Sequence, residues 1–445
     1  LAGSNLSKHR DFAIDVVRRL REAGFVALWA GGCVRDLLVG RAPKDYDVAT
    51  SANPDQIRGV FGHRRTLPIG AAFGVITVLG PPGAGQIDVA TFRSDEAYSD
   101  GRRPDAVRFS SPEEDASRRD FTINGIFCDP IENKVIDYVG GQRDIAARIV
   151  RAIGDPRQRI DEDKLRMLRA VRFAATLDFE LDEATHAAVA AMAPRITVVS
   201  AERIAAEFER MLTDRHRARA VALLRETGLL TAILPEATSL ADDAHDELWQ
   251  QTVQILEQLD SPTFGLAMAA LLAGVLTSRR LSVDELSSQH HSRRPPNSPA
   301  LRLVSTVAHR WKLSNTVGDR AGWLLDNSAR LAGARRLPWS QLQPLLAHRF
   351  ASDLVELSAA TTSVTEGDTS EADFCRRKLA LPREQLDPPP LITGDDLHAR
   401  GVPAGPAYRR LLEAVRAAQL DNQIDSKAQA LERIDRLLTD KNLTD

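Results

Sequence analysis

Two carboxylates one residue apart, Asp45 and Asp47, are the first candidates for chemistry in this chain. They close the stretch WAGGCVRDLLVGRAPKDYDVAT, residues 29–50. Residues 45–49 read as a β-strand, and alternation would put both acids on one face about 7 Å apart. Paired hard-oxygen ligands suit Mg²⁺, which leaves its other positions to water and phosphate. Upstream, Gly31 and Gly32 let backbone approach a phosphate closely and open a helix carrying Arg35 and Asp36. A carboxylate pair beside a phosphate cradle is what metal-assisted phosphoryl or nucleotidyl transfer requires. Alone, an Asp-x-Asp pair serves equally well as two solvated strand residues. The combination with the Gly pair and Arg35 is what points to a site.

Four further features converge on that stretch. Asp88 falls on a strand expected over residues 86–92. Beside the first acid strand it would add a third carboxylate; elsewhere it would simply face solvent. Arg118, Arg119 and Asp120 begin the run RRDFTIN, which ends at Asn124. Adjacent arginines beside an acid can grip a triphosphate through planar donor forks, or form a surface ion cluster. The loop YSDGRRPDAV, residues 98–107, suits a mobile cover over the site as well as an inert surface loop.

The fourth feature is EDKLRMLRAVRFAA, with Asp163, Arg166, Arg169 and Arg172. Helical spacing places the three arginines within one sector of about 120°, where they repel unless something anionic lies across them. Asp accepts hydrogen bonds and Arg only donates them. Cytosine and adenine each present an exocyclic amine donor beside a ring-nitrogen acceptor; guanine and uracil present the reverse. One Asp163/Arg166 pair would therefore accept C and A and reject G and U without a nucleic-acid template. An ordinary helix with an internal ion pair is the plainer alternative.

Positioning these residues requires a strand-bearing first third. Residues 7–23 read as an amphipathic helix with Phe12, Val16, Val17 and Leu20 on one side. Strands are expected from residue 25, over 75–79 and over 86–92, with 118–124 and 135–139 closing this part near residue 145. Helical spacing then dominates, over 161–175, 183–192, 201–212, 217–226, 248–259 and 264–276. A Ser/Pro/Arg/His-rich segment, 282–299, reads as a loop or linker, and a Thr/Ser-rich break follows at 360–371. The expected division is a head over 1–145, a neck over 146–235, a body over 236–370 and a tail over 371–445.

Bulk properties narrow the class. A chain of 445 residues suggests about three domains. With a formal net charge of -3, a nucleic-acid partner must be held by local cationic clusters. Three scattered cysteines point to a reducing compartment and away from a disulfide framework. With no long apolar run, the expectation is a cytoplasmic protein without membrane association. The start at Leu1 suggests a native N-terminus that is trimmed or replaced.

In order, GGCVRDLLVGRAPKDYDVAT, RRDFTIN, EDKLRMLRAVRFAA and Glu202-Arg203-Ile204 through Glu207 resemble the signature motifs of class II tRNA nucleotidyltransferases, which bacterial poly(A) polymerases share. The resemblance runs from about residue 25 to 234 and weakens beyond. It implies an α+β head of the DNA polymerase beta-type nucleotidyltransferase fold, followed by an all-α neck, body and tail. It implies addition of C, C and A to the tRNA 3′ end from CTP and ATP, with pyrophosphate released. Asp45 and Asp47 would bind two Mg²⁺ ions. Gly31, Gly32, Arg35, Arg118 and Arg119, with Asp120 and Asn124 of the same motif, would form the triphosphate site. Asp163 and Arg166 would read the base, supported by Arg169 and Arg172. The tRNA acceptor arm is the implied partner, and no obligate protein partner is expected.

Within the family, enterobacterial-type poly(A) polymerases carry a basic segment where this chain reads PIGAAFGVITV, and CC-adding members lack the loop that YSDGRRPDAV keeps. Full CCA addition is therefore the first expectation, with A-adding or poly(A) activity second. Many relatives carry a His-Asp metal motif, W-x-H-T followed by L-L-H-D. Here the same region reads Trp249-Gln250-Gln251-Thr252 and Leu271-Leu272-Ala273-Gly274, so phosphohydrolase activity is expected to be absent. His290 and His291 read as isolated loop residues. A non-catalytic RNA-binding protein on a relic head would not need all of these motifs. A transferase for small molecules would not need some 220 helical residues after the neck.

Overall fold

The computed structural model describes residues 2–95, 107–284, 298–402 and 405–439. The expected cover loop, apart from Val107, and the His290/His291 pair lie outside the described residues. The chain divides into two compact units, Leu1–Pro235 and Glu236–Asp445. The first is an α/β head running into helices; the second is helical.

The first unit is built on a mixed seven-stranded sheet whose strands lie in the order 66–70, 75–79, 86–91, 47–50, 27–30, 126–129 and 134–137. Helix α1 (Ala2–Glu22) buries Phe12, Val16, Val17 and Leu20 against it, as their spacing predicts. Strand β1 (Ala27–Ala30) ends at Gly31, whose φ of 70° turns the chain into α2 (Gly32–Leu38). Strand β2 (Asp47–Thr50) runs antiparallel to β1, pairing Ala30 with Asp47. After α3 (Pro54–Phe61), β3 (Thr66–Gly70) and β4 (Val75–Leu79) form a hairpin, and β5 (Gln86–Thr91) lies parallel to β2 with Asp88 opposite Asp47. Register thus brings the Gly pair and two of the acids to one region of the sheet.

The chain continues through a small pair, β6 (Arg93–Asp95) and β7 (Val107–Phe109), into α4 (Pro112–Ser117). Ser111 caps α4 by accepting from the Glu114 amide, and Pro112 opens it. Strands β8 (Ile126–Asp129) and β9 (Lys134–Asp137) complete the sheet, and α5 (Gly141–Ala147) follows. The neck is made of α6 (Pro156–Glu162), α7 (Arg166–Leu177), α8 (Glu183–Met192), α9 (Ala201–Leu212) and α10 (Arg217–Glu226).

Several expectations need correction. Asp45 is not on a strand: β1 has already turned at Gly31, so nothing is left for Asp45 to pair with, and β2 begins at Asp47. The alternation survives, because Tyr46 is buried against Trp29 with ring centroids 4.7 Å apart while both acids stay exposed. Residues 118–124 are not a strand. They form the end of α4, a bridge from Phe121 to Ala152 and a 3₁₀ turn over Thr122–Asn124. The expected helix over 161–175 is two helices, broken where Asp163 adopts an extended conformation with φ -149°. Strand β3 was not anticipated. In the second unit the break expected at 360–371 shrinks to residues 366–369, because helix Ala351–Thr365 runs on. The hydroxyls of Thr361, Thr362 and Thr365 donate to carbonyls four residues back, so the helix absorbs its own polar groups.

Among the described residues no helix is long and apolar enough to cross a membrane. The second unit packs helices Asp246–Gln258 and Phe264–Asp284 closely, with Trp249, Thr252, Leu271 and Leu272 buried. A Cβ added at Gly274 would meet the Thr252 Oγ1 at 2.2 Å. The region where relatives carry the His-Asp motif is thus a tight helix crossing. Gly274→Ala is expected to destabilise this unit by about 1–3 kcal/mol through overpacking, measured as a lowered thermal midpoint.

Candidate active site

Of the residues expected at the site, all but Asp45 and Asp88 line one cavity of about 560 Å³, joined by Phe173. Six arginines face this space: Arg35 pairs with its neighbour Asp36 at 2.6 Å, and the other five are held by acids an adjacent turn away or in another part of the chain. Asp115, buried on α4, accepts from Arg118 Nε at 2.9 Å and Arg119 Nε at 3.2 Å, with a second bond from each. Burial alone would push the Asp115 carboxyl up; the two guanidiniums outweigh it and hold it below its ordinary value. Their spacing, i+3 and i+4 from Asp115, is the signal that could have revealed this residue.

Asp120 is likewise buried. It accepts from Arg169 Nε at 2.7 Å and from the Asn124 amide at 3.0 Å, while the Asn124 carbonyl oxygen accepts from Arg35 Nη1 at 2.8 Å. One polar chain therefore links α2 of the head to α7 of the neck. Burial opposes ionisation of Asp120, yet Arg169 and Asn124 hold its carboxyl at about 2. Arg166 is gripped by Glu162 and donates to the carbonyl of Arg159 at 2.8 Å. Arg172 donates through Nε to Glu207 at 2.5 Å, and burial pushes its guanidinium below the ordinary value, with Glu207 opposing. The Phe173 ring sits beneath three of these cations, 5.0 Å from Arg35, 5.2 Å from Arg169 and 4.0 Å from Arg172.

Asp163 and Arg166 do not pair with each other. Because the helix breaks at Asp163, its carboxylate turns to Arg203 of α9, accepting at 3.2 and 2.6 Å, while Arg166 points to Glu162. Both still line the same cavity. Arg203 and Glu207, one helical turn apart on α9, thus hold Asp163 and Arg172 in place.

Asp47 sits in the cavity wall with solvent access. Burial pushes its carboxyl up, and Asp88 and Asp45 push the same way against Arg119. Asp88 accepts from the Thr77 hydroxyl at 2.6 Å. Among the described residues no three His, Cys, Asp or Glu side chains converge as a ready-made metal site. At Gly31 the φ of 70° is one that L side chains rarely adopt, and a Cβ there would lie 2.8 Å from Arg119 Nη1, so that guanidinium would have to shift.

Residues 27–151 match the family model of the poly A polymerase head domain. Residues 178–240 match one described as a probable RNA and SrmB-binding site of polymerase A. The CCA-adding enzyme of Geobacillus kaustophilus is 33% identical over 433 residues, covering 97% of each chain. That of Geobacillus thermodenitrificans is 34% identical over 422 residues, 94% of this chain and 95% of its own. The chain belongs to the CCA-adding enzyme family. A solved structure of a family member, the Bacillus stearothermophilus CCA-adding enzyme in complex with CTP, superposes with a TM-score of 0.75 at 28% identity, covering 96% of this chain and 97% of its own. The activity this membership establishes is that of a tRNA nucleotidyltransferase.

The family's arginine motifs are thus embedded here in a buried ion-pair frame whose acids can be tested separately. Asp120 has a depressed folded pKa, so its stabilisation is fully present above pH 4 and is lost as pH falls toward 2. Asp120→Asn is expected to cost roughly 1–3 kcal/mol at neutral pH and to flatten the loss of stability between pH 4 and 2. Urea unfolding across that range checks both.

Proposed function

We propose that this protein adds C, C and A to the 3′ end of tRNA lacking them, using CTP and ATP and releasing pyrophosphate. The observation that carries this reading is the single cavity in which Asp163 and Arg166 meet Gly32, Arg35, Arg118, Arg119 and Asp47. Base reading, triphosphate holding and a carboxylate for the reacting centre share one space. Full-length relatives that are CCA-adding enzymes support the same reading.

The charge around Asp47 fits a divalent cation: its carboxyl is raised by burial and by two neighbouring acids, and a cation relieves all three effects. Mg²⁺ commonly binds through one or two carboxylates plus water and substrate phosphate, so Asp45 and Asp47 suffice as protein ligands for the two ions of the family mechanism. Asp88, already engaged by Thr77, acts through its charge on Asp47. When bound, Mg²⁺ would make the RNA hydroxyl a better nucleophile and neutralise charge on the phosphates. The 3′-hydroxyl oxygen bonds to the α-phosphorus, the bond to pyrophosphate breaks, and the hydroxyl proton passes to water. Arg118, Arg119 and Arg35 orient the triphosphate and spread its charge. Asp163 accepts from the exocyclic amine of C or A and Arg166 donates to the neighbouring ring nitrogen, while Arg203 and Glu162 keep both side chains oriented. The helical residues of body and tail, 236–445, would hold the tRNA acceptor arm through phosphate contacts.

Incubation of tRNA lacking its CCA end with each nucleoside triphosphate, singly and combined, tests this. Two C residues and one A are expected, with no G or U. Incorporation of neither C nor A overturns the proposal. A alone, or long A tracts, favours the second reading, an A-adding or poly(A) enzyme, which the match to a poly A polymerase head keeps in view.

Asp45→Ala and Asp47→Ala are each expected to lower addition by about 100-fold or more while tRNA binding, read by gel shift, persists. Wild-type turnover in either variant removes the metal role.

A further inference from the structure

Arg159, on α6, is not among the residues that line the nucleotide cavity, yet its side chain bonds to groups that hold two of those residues in place. We propose that Arg159 is a positioning residue for nucleotide selection, tying the base-reading Arg166 to the triphosphate-binding segment at Arg118. The inference rests on the base reading proposed above.

The ties are specific. Arg159 Nε donates to the Ile153 carbonyl at 2.9 Å, which fixes the guanidinium plane against the chain entering α6. Its Nη1 donates to Glu162 Oε2 at 2.9 Å, to Oε1 at 3.3 Å and to the Arg118 carbonyl at 3.4 Å. Arg166 reaches the same two acceptors: Nη1 donates to Glu162, and Nη2 to the Arg118 carbonyl at 3.4 Å. Arg166 Nη1 also donates to the Arg159 carbonyl at 2.8 Å. Two guanidiniums are thus seated on one carboxylate and one backbone oxygen. The side chains of Arg159, Glu162 and Arg166 are only 19%, 15% and 11% exposed, so water screens these charges weakly and their bonding partners set the geometry.

Arg118 carries the link to the phosphates. It caps the C-terminal end of α4, where arginine side chains commonly satisfy the last carbonyls. Its own guanidinium is fixed by Asp115 and faces the cavity. A triphosphate bound to that guanidinium therefore acts on the residue whose carbonyl seats Arg166. Without Arg159, Glu162 loses the partner that holds it from one turn back along α6, and Arg166 loses a fixed carboxylate. Asp163 keeps its place, because Arg203 holds it from α9. Asp120 also feels the charge of Arg166, but its side-chain partners are Arg169 and Asn124. The defect falls on Arg166. Held still, Arg166 meets the ring N–H of uracil with a donor of its own, which disfavours that base; a loose Arg166 turns aside and the penalty is lost.

The test uses the full chain with tRNA lacking its CCA end and measures kcat/KM for CTP and for UTP in the first addition. Arg159→Ala is expected to lower the CTP-to-UTP ratio by about 10-fold. An unchanged ratio, with CTP and UTP losing activity equally, overturns the positioning role, because a merely structural residue lowers the active fraction for every nucleotide alike. Glu162→Gln is made alone and together with Arg159→Ala. The double variant is expected to lose about as much selectivity as the worse single one, and fully additive losses overturn the shared route through Glu162. Arg159→Lys keeps the charge without the planar fork and carries the test where the alanine variant does not fold. It is expected to lower the same ratio with a thermal midpoint close to wild type, and wild-type selectivity in it overturns the proposal. Wild-type protein that adds neither C nor A overturns the proposed function, and wild-type protein that adds U as readily as C overturns the base reading, each independently of the variants.

Discussion

Six arginines line one cavity of the first unit, and gathered guanidiniums repel. The ion pair between Asp120 and Arg169 is where this conflict is settled most deeply. Asp120 is buried, so its charge is tolerable only while Arg169 and Asn124 bind it, and Arg169 in turn donates both its hydrogen bonds among the described residues to Asp120. Through Asn124 the same acid governs Arg35, which belongs to a helix of the head. Remove the pair, and Arg35 on α2 and the arginine row on α7 lose their common anchor.

The remaining arginines repeat the solution on separate elements. Asp115 serves Arg118 and Arg119, Glu162 serves Arg166, and Glu207 serves Arg172. Buried pairs of this sort add little net stability, because desolvation offsets much of the attraction. What they provide is orientation: the planar forks are fixed while donors remain for a ligand. Arg172 commits only Nε among the described residues. Asp47 is the counterpart, an acid whose neighbours raise its carboxyl, and so a place where a cation is favoured.

The second unit shows the opposite economy. Where many relatives have a His-Asp metal motif, two helices meet at Gly274 and Thr252 with no space for a larger side chain. Small residues there permit close packing.

Much of the head was legible from residue types alone. Asp47, the Gly pair, the double arginine and Asp163 through Arg172 were identified because phosphate, metal and base recognition each demand particular donors and acceptors. Helices α8, α9 and α10 followed from apolar periodicity, which is a local property. What the sequence could not show was pairing across distance. Asp163 was expected beside Arg166 because the two are close in sequence; the break at Asp163 sends its carboxylate to Arg203, forty residues on. Asp45 was expected on a strand, but whether a residue joins a ladder depends on its partner, and β1 has already turned away at Gly31. Asp115 and Glu162 showed their role only through helical spacing to Arg118, Arg119 and Arg166, and Glu207 showed none, since a distant acid's partner is set by which elements the fold brings together. The sequence by itself determined which chemistry was available. Only the tertiary structure decided which charge meets which, because electrostatic pairing acts through space and local propensity acts along the chain.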